Sequence, residues 1–151
     1  MRKLLLIVAL FALSFIEMNA QAYEYKIVTS IESVVPMGLG RSRIISENEG
    51  KNYTDFTSER TSESKKQNKS KRGDAKVENF EETKLVNFYS AVGINFQNVA
   101  SNDALLSSKI NTMIGEGWDI AFVTSGVESD SGKGDGKGIF ITRFIFKRLK
   151  Q

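Results

Sequence analysis

The chain contains neither cysteine nor histidine, and its single proline is Pro36. Without Cys there is no disulfide, no thiolate metal ligand, no cysteine nucleophile and no lipid-modified cysteine behind a leader, so the fold must hold by its core alone. Without His, the commonest general acid/base near neutral pH is missing, and with it the Ser–His pairing and every imidazole metal site. Carboxylate-only chemistry, Lys or Tyr chemistry and oxygen-ligand metals such as calcium survive that cut. The composition therefore points away from an enzyme without excluding one, and no cofactor and no metal are expected.

Long apolar runs are also scarce. The one present, residues 4–16, follows Arg2 and Lys3 and precedes a small-x-small pattern at Ala20, Gln21 and Ala22. A positive start, a short apolar stretch and a small-residue cleavage pattern make a secretory signal peptide over residues 1–22. The run is shorter than the ~20 residues that span a bilayer, and nothing later is as apolar over such a length. The expectation is an exported protein, periplasmic or extracellular, whose remaining residues, 23–151, have no transmembrane segment.

The chain has a formal net charge of +3 and a pI near 9.1. That excess is concentrated in residues 57–76, where Arg60, Lys65, Lys66, Lys69, Lys71, Arg72 and Lys76 outnumber Glu59, Glu63 and Asp74. A nucleic-acid platform would interleave aromatics with its bases, and this stretch has none, so no nucleic-acid partner is expected. Its only apolar residue is Ala75, a composition that cannot repay the entropy of ordering. Residues 57–79 read as a flexible, basic, disordered insertion within one domain. Lys65, Lys66, Lys69, Lys71 and Arg72 could meet an acidic surface.

Around the insertion the pattern is that of a small α+β domain. Tyr23, Tyr25 and Ile27 alternate with Glu24, Lys26 and Val28, which predicts a first strand reaching about Val35. Pro36 and Gly38-Leu39-Gly40 break it, and residues 41–46 read as a short second strand. Residues 84–96 are apolar but ambiguous in period, and Gly93 favours strand with a turn. An amphipathic helix is expected over residues 103–114, with Asn102 or Asp103 as its N-cap and Gly115 as its stop. Leu106, Ile110, Met113 and Ile114 fall at helical spacing on it. Trp118, Ile120 and Phe122 then begin a strand. After a loop, residues 138–149 form a last strand with Phe140, Phe144 and Phe146 on one side and Ile139, Ile141 and Ile145 on the other, a central position.

On Tyr23-Glu24-Tyr25-Lys26-Ile27-Val28, Gly115-Glu116-Gly117-Trp118-Asp119-Ile120 and Phe144-Ile145-Phe146-Lys147-Arg148, the chain resembles a small bacterial domain-of-unknown-function family. Its members open with an aromatic-Glu-Tyr-Lys-Val-Val strand and carry Glu-Gly-Trp-Glu-Leu after their helix. The chain departs from that pattern in its leader, its polar insertion and Asp119. In style it is similar to exported proteins of Bacteroidetes-type bacteria. The resemblance implies a small antiparallel sheet with one packed amphipathic helix. It brings no activity and hence no catalytic residues. Gly115 and Gly117 would allow a left-handed helix exit, and Trp118 would seal the helix against the sheet, a structural role ahead of a ligand-stacking one.

Among binding candidates, Arg41, Ser42 and Arg43 behind Gly38-Leu39-Gly40 could clamp a phosphate, sulfate or carboxylate, although neither nucleotide-binding glycine motif is satisfied. Arg143, interrupting an apolar strand, could assist; if buried it needs an acidic partner, and at an edge it reaches water. The Gly-rich loop at Asp130–Gly138 has two carboxylates amid two lysines and lacks the register of a calcium site. Asp119, Glu128 and Asp130 could in principle supply a carboxylate pair for glycoside hydrolysis, although nothing in the sequence fixes their separation. The leading expectation is a non-enzymatic exported module working through protein–protein contact. The alternative is a binding protein for a small anion or acidic glycan, and the third is a carboxylate-only hydrolase.

Overall fold

A computed structural model describes residues 22–33, 41–63, 68–90, 92–128 and 138–150. Residues 1–21, Val34, Val35, Gly38-Leu39-Gly40, Lys65, Lys66 and most of the Gly-rich loop lie outside the described residues. The strands are β1 (Tyr23–Ser33), β2 (Arg43–Glu47), β3 (Phe80–Lys84), β4 (Tyr89–Ser90), β5 (Gly93–Ile94), β6 (Asp119–Glu128) and β7 (Ile139–Leu149), and the helix is α1 (Phe96–Gly115). Five strands form one sheet in the order β3-β2-β1-β7-β6, every neighbouring pair antiparallel, and β4 and β5 form a separate small hairpin. The expected small α+β fold is what the chain adopts.

The centre of the sheet is the β1–β7 pair, in register from Tyr23 opposite Leu149 to Ser33 opposite Ile139. β-Branched and aromatic residues dominate both strands, which suits a pleated surface with neighbours on each side. One face is covered. Val28, Ile44, Leu85, Met113, Trp118 and Phe146 are its buried apolar residues, with Leu106, Ile110 and Phe144 packed against them. Phe146 is 0% exposed, and burying such a side chain contributes about 1.5–3 kcal/mol. The phenylalanine side of β7 thus lies under α1, and its isoleucine side faces away.

The helix differs from its expected span. It begins at Phe96, and its N-cap is Asn95, whose side chain accepts from the N–H groups of Gln97 and Asn98. Asn102, which with Asp103 has the residue type of a cap, sits inside the helix and is buried. Its Oδ1 accepts from the Val86 N–H, and its Nδ2 donates to the Val86 carbonyl and to Glu32 Oε1, each at 2.9 Å. These three bonds satisfy a buried amide that would otherwise be costly. They also join α1, β1 and the chain following β3 at one point.

At the other end, Trp118 N–H donates to the Met113 carbonyl and Gly117 N–H to the Ile114 carbonyl, both at 3.0 Å. That pair of bonds is a Schellman termination. Its left-handed residue is Gly117, at φ +84°; Gly115 is the last helical residue, so the left-handed exit belongs to Gly117 alone. Trp118 and Met113, buried together in the core, supply the apolar contact that accompanies the motif. The Arg148 guanidinium lies over the indole at 4.2 Å from its centroid, a cation–π contact on the ring.

β1 is described as far as Ser33, and β3 has no signature in the sequence, because Phe80–Lys84 is exposed at every position and shows no apolar alternation. It is held as an edge by β2 and by Lys109, whose Nζ lies 2.8 Å from Glu81 Oε2. That ammonium holds the Glu81 carboxyl below its ordinary value of 4.5. The described part of the insertion, between β2 and β3, has no strand or α-helix. It is fastened by polar bonds: Asn68 N–H donates to Ser58 Oγ, Ser70 Oγ to the Asp55 carbonyl, and Lys71 N–H to Asp74 Oδ2.

Candidate functional site

Strand parity decides which side chains share the uncovered face. With Val28 and Phe146 on the helix side, β1 turns Tyr25, Ile27, Thr29 and Ile31 outward, and β7 turns Ile141, Arg143, Ile145 and Lys147 the same way. β2 adds Arg43 and Ile45, β3 adds Phe80, and β6 adds Phe122, Thr124, Gly126 and Glu128. Tyr25 is 63% exposed, Phe122 61%, Phe80 47% and Ile27 42%. An apolar field with a few charges set into it therefore faces away from the helix.

Arg143 stands within this field, directly between Thr29 of β1 and Thr124 of β6, and is exposed. Arg43 shares the face but is separated from β7 by β1, and its guanidinium bonds Glu82 Oε2 at 2.8 Å. Arg41 is exposed just before β2. Ser42 does not belong with them. It is 3% exposed, and its Oγ accepts from the Ser33 N–H at 3.0 Å. Alternation along a strand puts Ser42 and Arg43 on opposite faces, so the proposed Arg41-Ser42-Arg43 clamp is broken and Ser42 serves as a β1–β2 tie.

A shallow groove of about 360 Å³ runs along the edge strand, lined by Thr124, Ser125, Gly126, Val127, Glu128, Ile141 and Arg143. Gly126 lies in its lining, and a Cβ there would meet nothing within 4 Å. A glycine inside a strand often marks close backbone approach or missing side-chain volume. Glu128 and Arg143 border the groove, and among the described residues no ion pair joins them. The sequence does not reveal the groove, although the alternation Thr124, Gly126, Glu128 in β6 is a visible signal.

Other candidates disperse. Asp119 and Glu128 are the two ends of β6, about 30 Å apart along an extended strand, so they are not a glycosidase pair. Asp130 lies outside the described residues. Trp118 is 6% exposed and sits in the core, which makes it a packing residue. In the insertion, Lys71 and Arg72 border a polar hollow of about 270 Å³ with Phe56, Ser58, Asn68 and Ser70, whose serines and asparagine already bond to one another or to backbone. Lys69 is exposed beside them.

Among the described residues, the open sheet face and its edge groove thus stand as the surface that no other element covers. No family model, no curated protein and no solved structure matches the chain.

Proposed function

We propose that the protein is a non-enzymatic, exported accessory module that works through protein–protein contact, with the open face of the five-stranded sheet as its contact surface. The observation that supports this reading is the outward apolar field of Tyr25, Ile27, Phe80 and Phe122 on the side away from α1. Contiguous apolar surface of this kind on a folded protein marks an interaction site. Arg143, set within it, selects a partner carrying a carboxylate at the matching point, because a guanidinium covered by apolar contact needs a counter-charge. The basic insertion adds long-range attraction toward the same acidic partner.

The test is a paired capture from the envelope of the exporting cell. The wild-type chain is compared with an Ile27→Lys, Phe122→Lys variant, and with a variant changed only at the exposed helix residue Leu105. A protein retained by the wild type and the Leu105 variant, and lost with the open-face variant, supports the reading. Equal retention by all three, or none by any, overturns it.

A second reading, a binding protein for a small anion or acidic glycan, is favoured by one observation: Arg43 and Arg143 share the open face. A thermal-shift screen against sulfate, phosphate and acidic glycans at fixed ionic strength tests it. A rise in melting temperature that an Arg43→Ala, Arg143→Ala variant abolishes would carry this reading instead.

A further inference from the structure

The two edges of the sheet are not equivalent. β3 is five residues long and carries Glu81, Glu82 and Lys84, the charged, short edge that proteins use to discourage pairing with another chain. β6 is ten residues long, and from Ile120 to Val127 it has no charge and no proline. It is interrupted once, by a bulge at Ala121. Beyond the bulge the strand runs regularly to Glu128, with Val127 61% exposed. An uncharged edge of that length exposes a row of backbone donors and acceptors.

We propose that β6 pairs with β6 of a second copy of this chain, antiparallel about a twofold axis through Gly126. The choice of occupant rests on charge. An antiparallel strand pair is self-complementary under a twofold axis, and the register fixes which side chains meet. With Gly126 opposite Gly126 of the other copy, Thr124 stands opposite Glu128 and Ser125 opposite Val127. Arg143 lies in the row of Thr124, so this register extends the row to Thr29, Arg143, Thr124 and the second copy's Glu128. Two strand spacings, about 10 Å, then separate the arginine and glutamate backbones, a span the two side chains bridge above the small threonine. Symmetry makes the ion pair twice. Shifting the register by two residues either way puts Phe122 or Gly126 opposite Glu128 and loses both pairs.

The groove fits the same arrangement. Two glycines on the axis leave room for the arginines to lean inward, and a Cβ at Gly126 would meet nothing. On the helix side, Val127 falls diagonally across from Val127 of the other copy, within side-chain reach. The pairing uses the edge of the sheet and leaves most of the open face exposed. It goes beyond the accessory-module reading and stands without it, and it gives Arg143 to the second copy's Glu128 in place of another partner's carboxylate.

The test takes advantage of the absence of cysteine from the chain. A Gly126→Cys variant of the whole chain, purified after expression and exposed to mild oxidant, should yield a disulfide-linked dimer, and a Thr124→Cys variant should not, because its opposite residue is Glu128. In sedimentation equilibrium, Arg143→Glu and Glu128→Arg should each weaken dimerisation by about tenfold or more, and the double reversal should restore it. Circular dichroism confirms that each variant is folded. A protein that stays monomeric throughout the concentration range overturns the proposal, as does a dimer indifferent to the single reversals or cross-linked equally from position 124. Because these substitutions spare Ile27 and Phe122, failure here is distinguishable from failure of the open-face capture.

Discussion

Asn102 shows how much one side chain can hold. Its amide closes three hydrogen bonds to two separate segments while being 1% exposed. Asn102→Ala leaves the Val86 N–H and carbonyl without their partner and should lower stability by about 1–3 kcal/mol in urea unfolding. Asn102→Asp should cost at least as much, because the donor to Glu32 becomes a second carboxylate. Ser30 is the converse case. Its Oγ is buried without a hydrogen-bond partner among the described residues, so Ser30→Ala removes an unsatisfied hydroxyl and should raise the melting temperature or leave it unchanged. At Gly117 the strain is purely conformational: φ is +84° and a Cβ would meet nothing within 4 Å. Gly117→Ala should therefore cost about 1–2 kcal/mol with no change in the core, and Gly115→Ala should cost nothing of that origin.

At the scale of elements, α1 is tied to the β3 edge by Lys109 and Glu81. The Glu81 carboxyl is held below its ordinary value by the hydrogen bond and charge of Lys109, so it binds protons less readily folded than unfolded. The stability this adds is present above the ordinary carboxylate value and is lost as pH falls through the folded one. Glu81→Gln should flatten the acid limb of the stability–pH curve without altering its neutral-pH shape. This element is also where sequence reading was weakest. β3 was invisible because an edge strand open to solvent on both faces shows no apolar alternation. The helix start was missed because Asn102 has the residue type of a cap and the interior position of a latch. The phenylalanine and isoleucine sides of β7 were legible, since alternation over eleven residues is difficult to mistake. What periodicity could not say was which side the helix would cover. Nor could it show that Ser42 and Arg43, adjacent in sequence, belong to opposite faces, which is why the expected anion clamp dissolves while Arg43 and Arg143 remain on one surface.

Among the described residues the molecule is a sheet with a helix on one face and an apolar field on the other. Ile27→Thr with Phe122→Ser should reduce binding of an apolar fluorescent dye while leaving the far-ultraviolet circular dichroism intact, because neither side chain contributes to the buried cluster under α1. The order of the strands has a further consequence. β1 is zipped along its entire length to β7, its partner more than one hundred residues later in the chain, so no prefix of the polypeptide can close the sheet. On the ribosome β1 stays unzippered until the last strand has emerged, and loop closure over such a span is slow. Delayed closure keeps the growing chain open: the architecture withholds the folded sheet until nearly all of the polypeptide has been made.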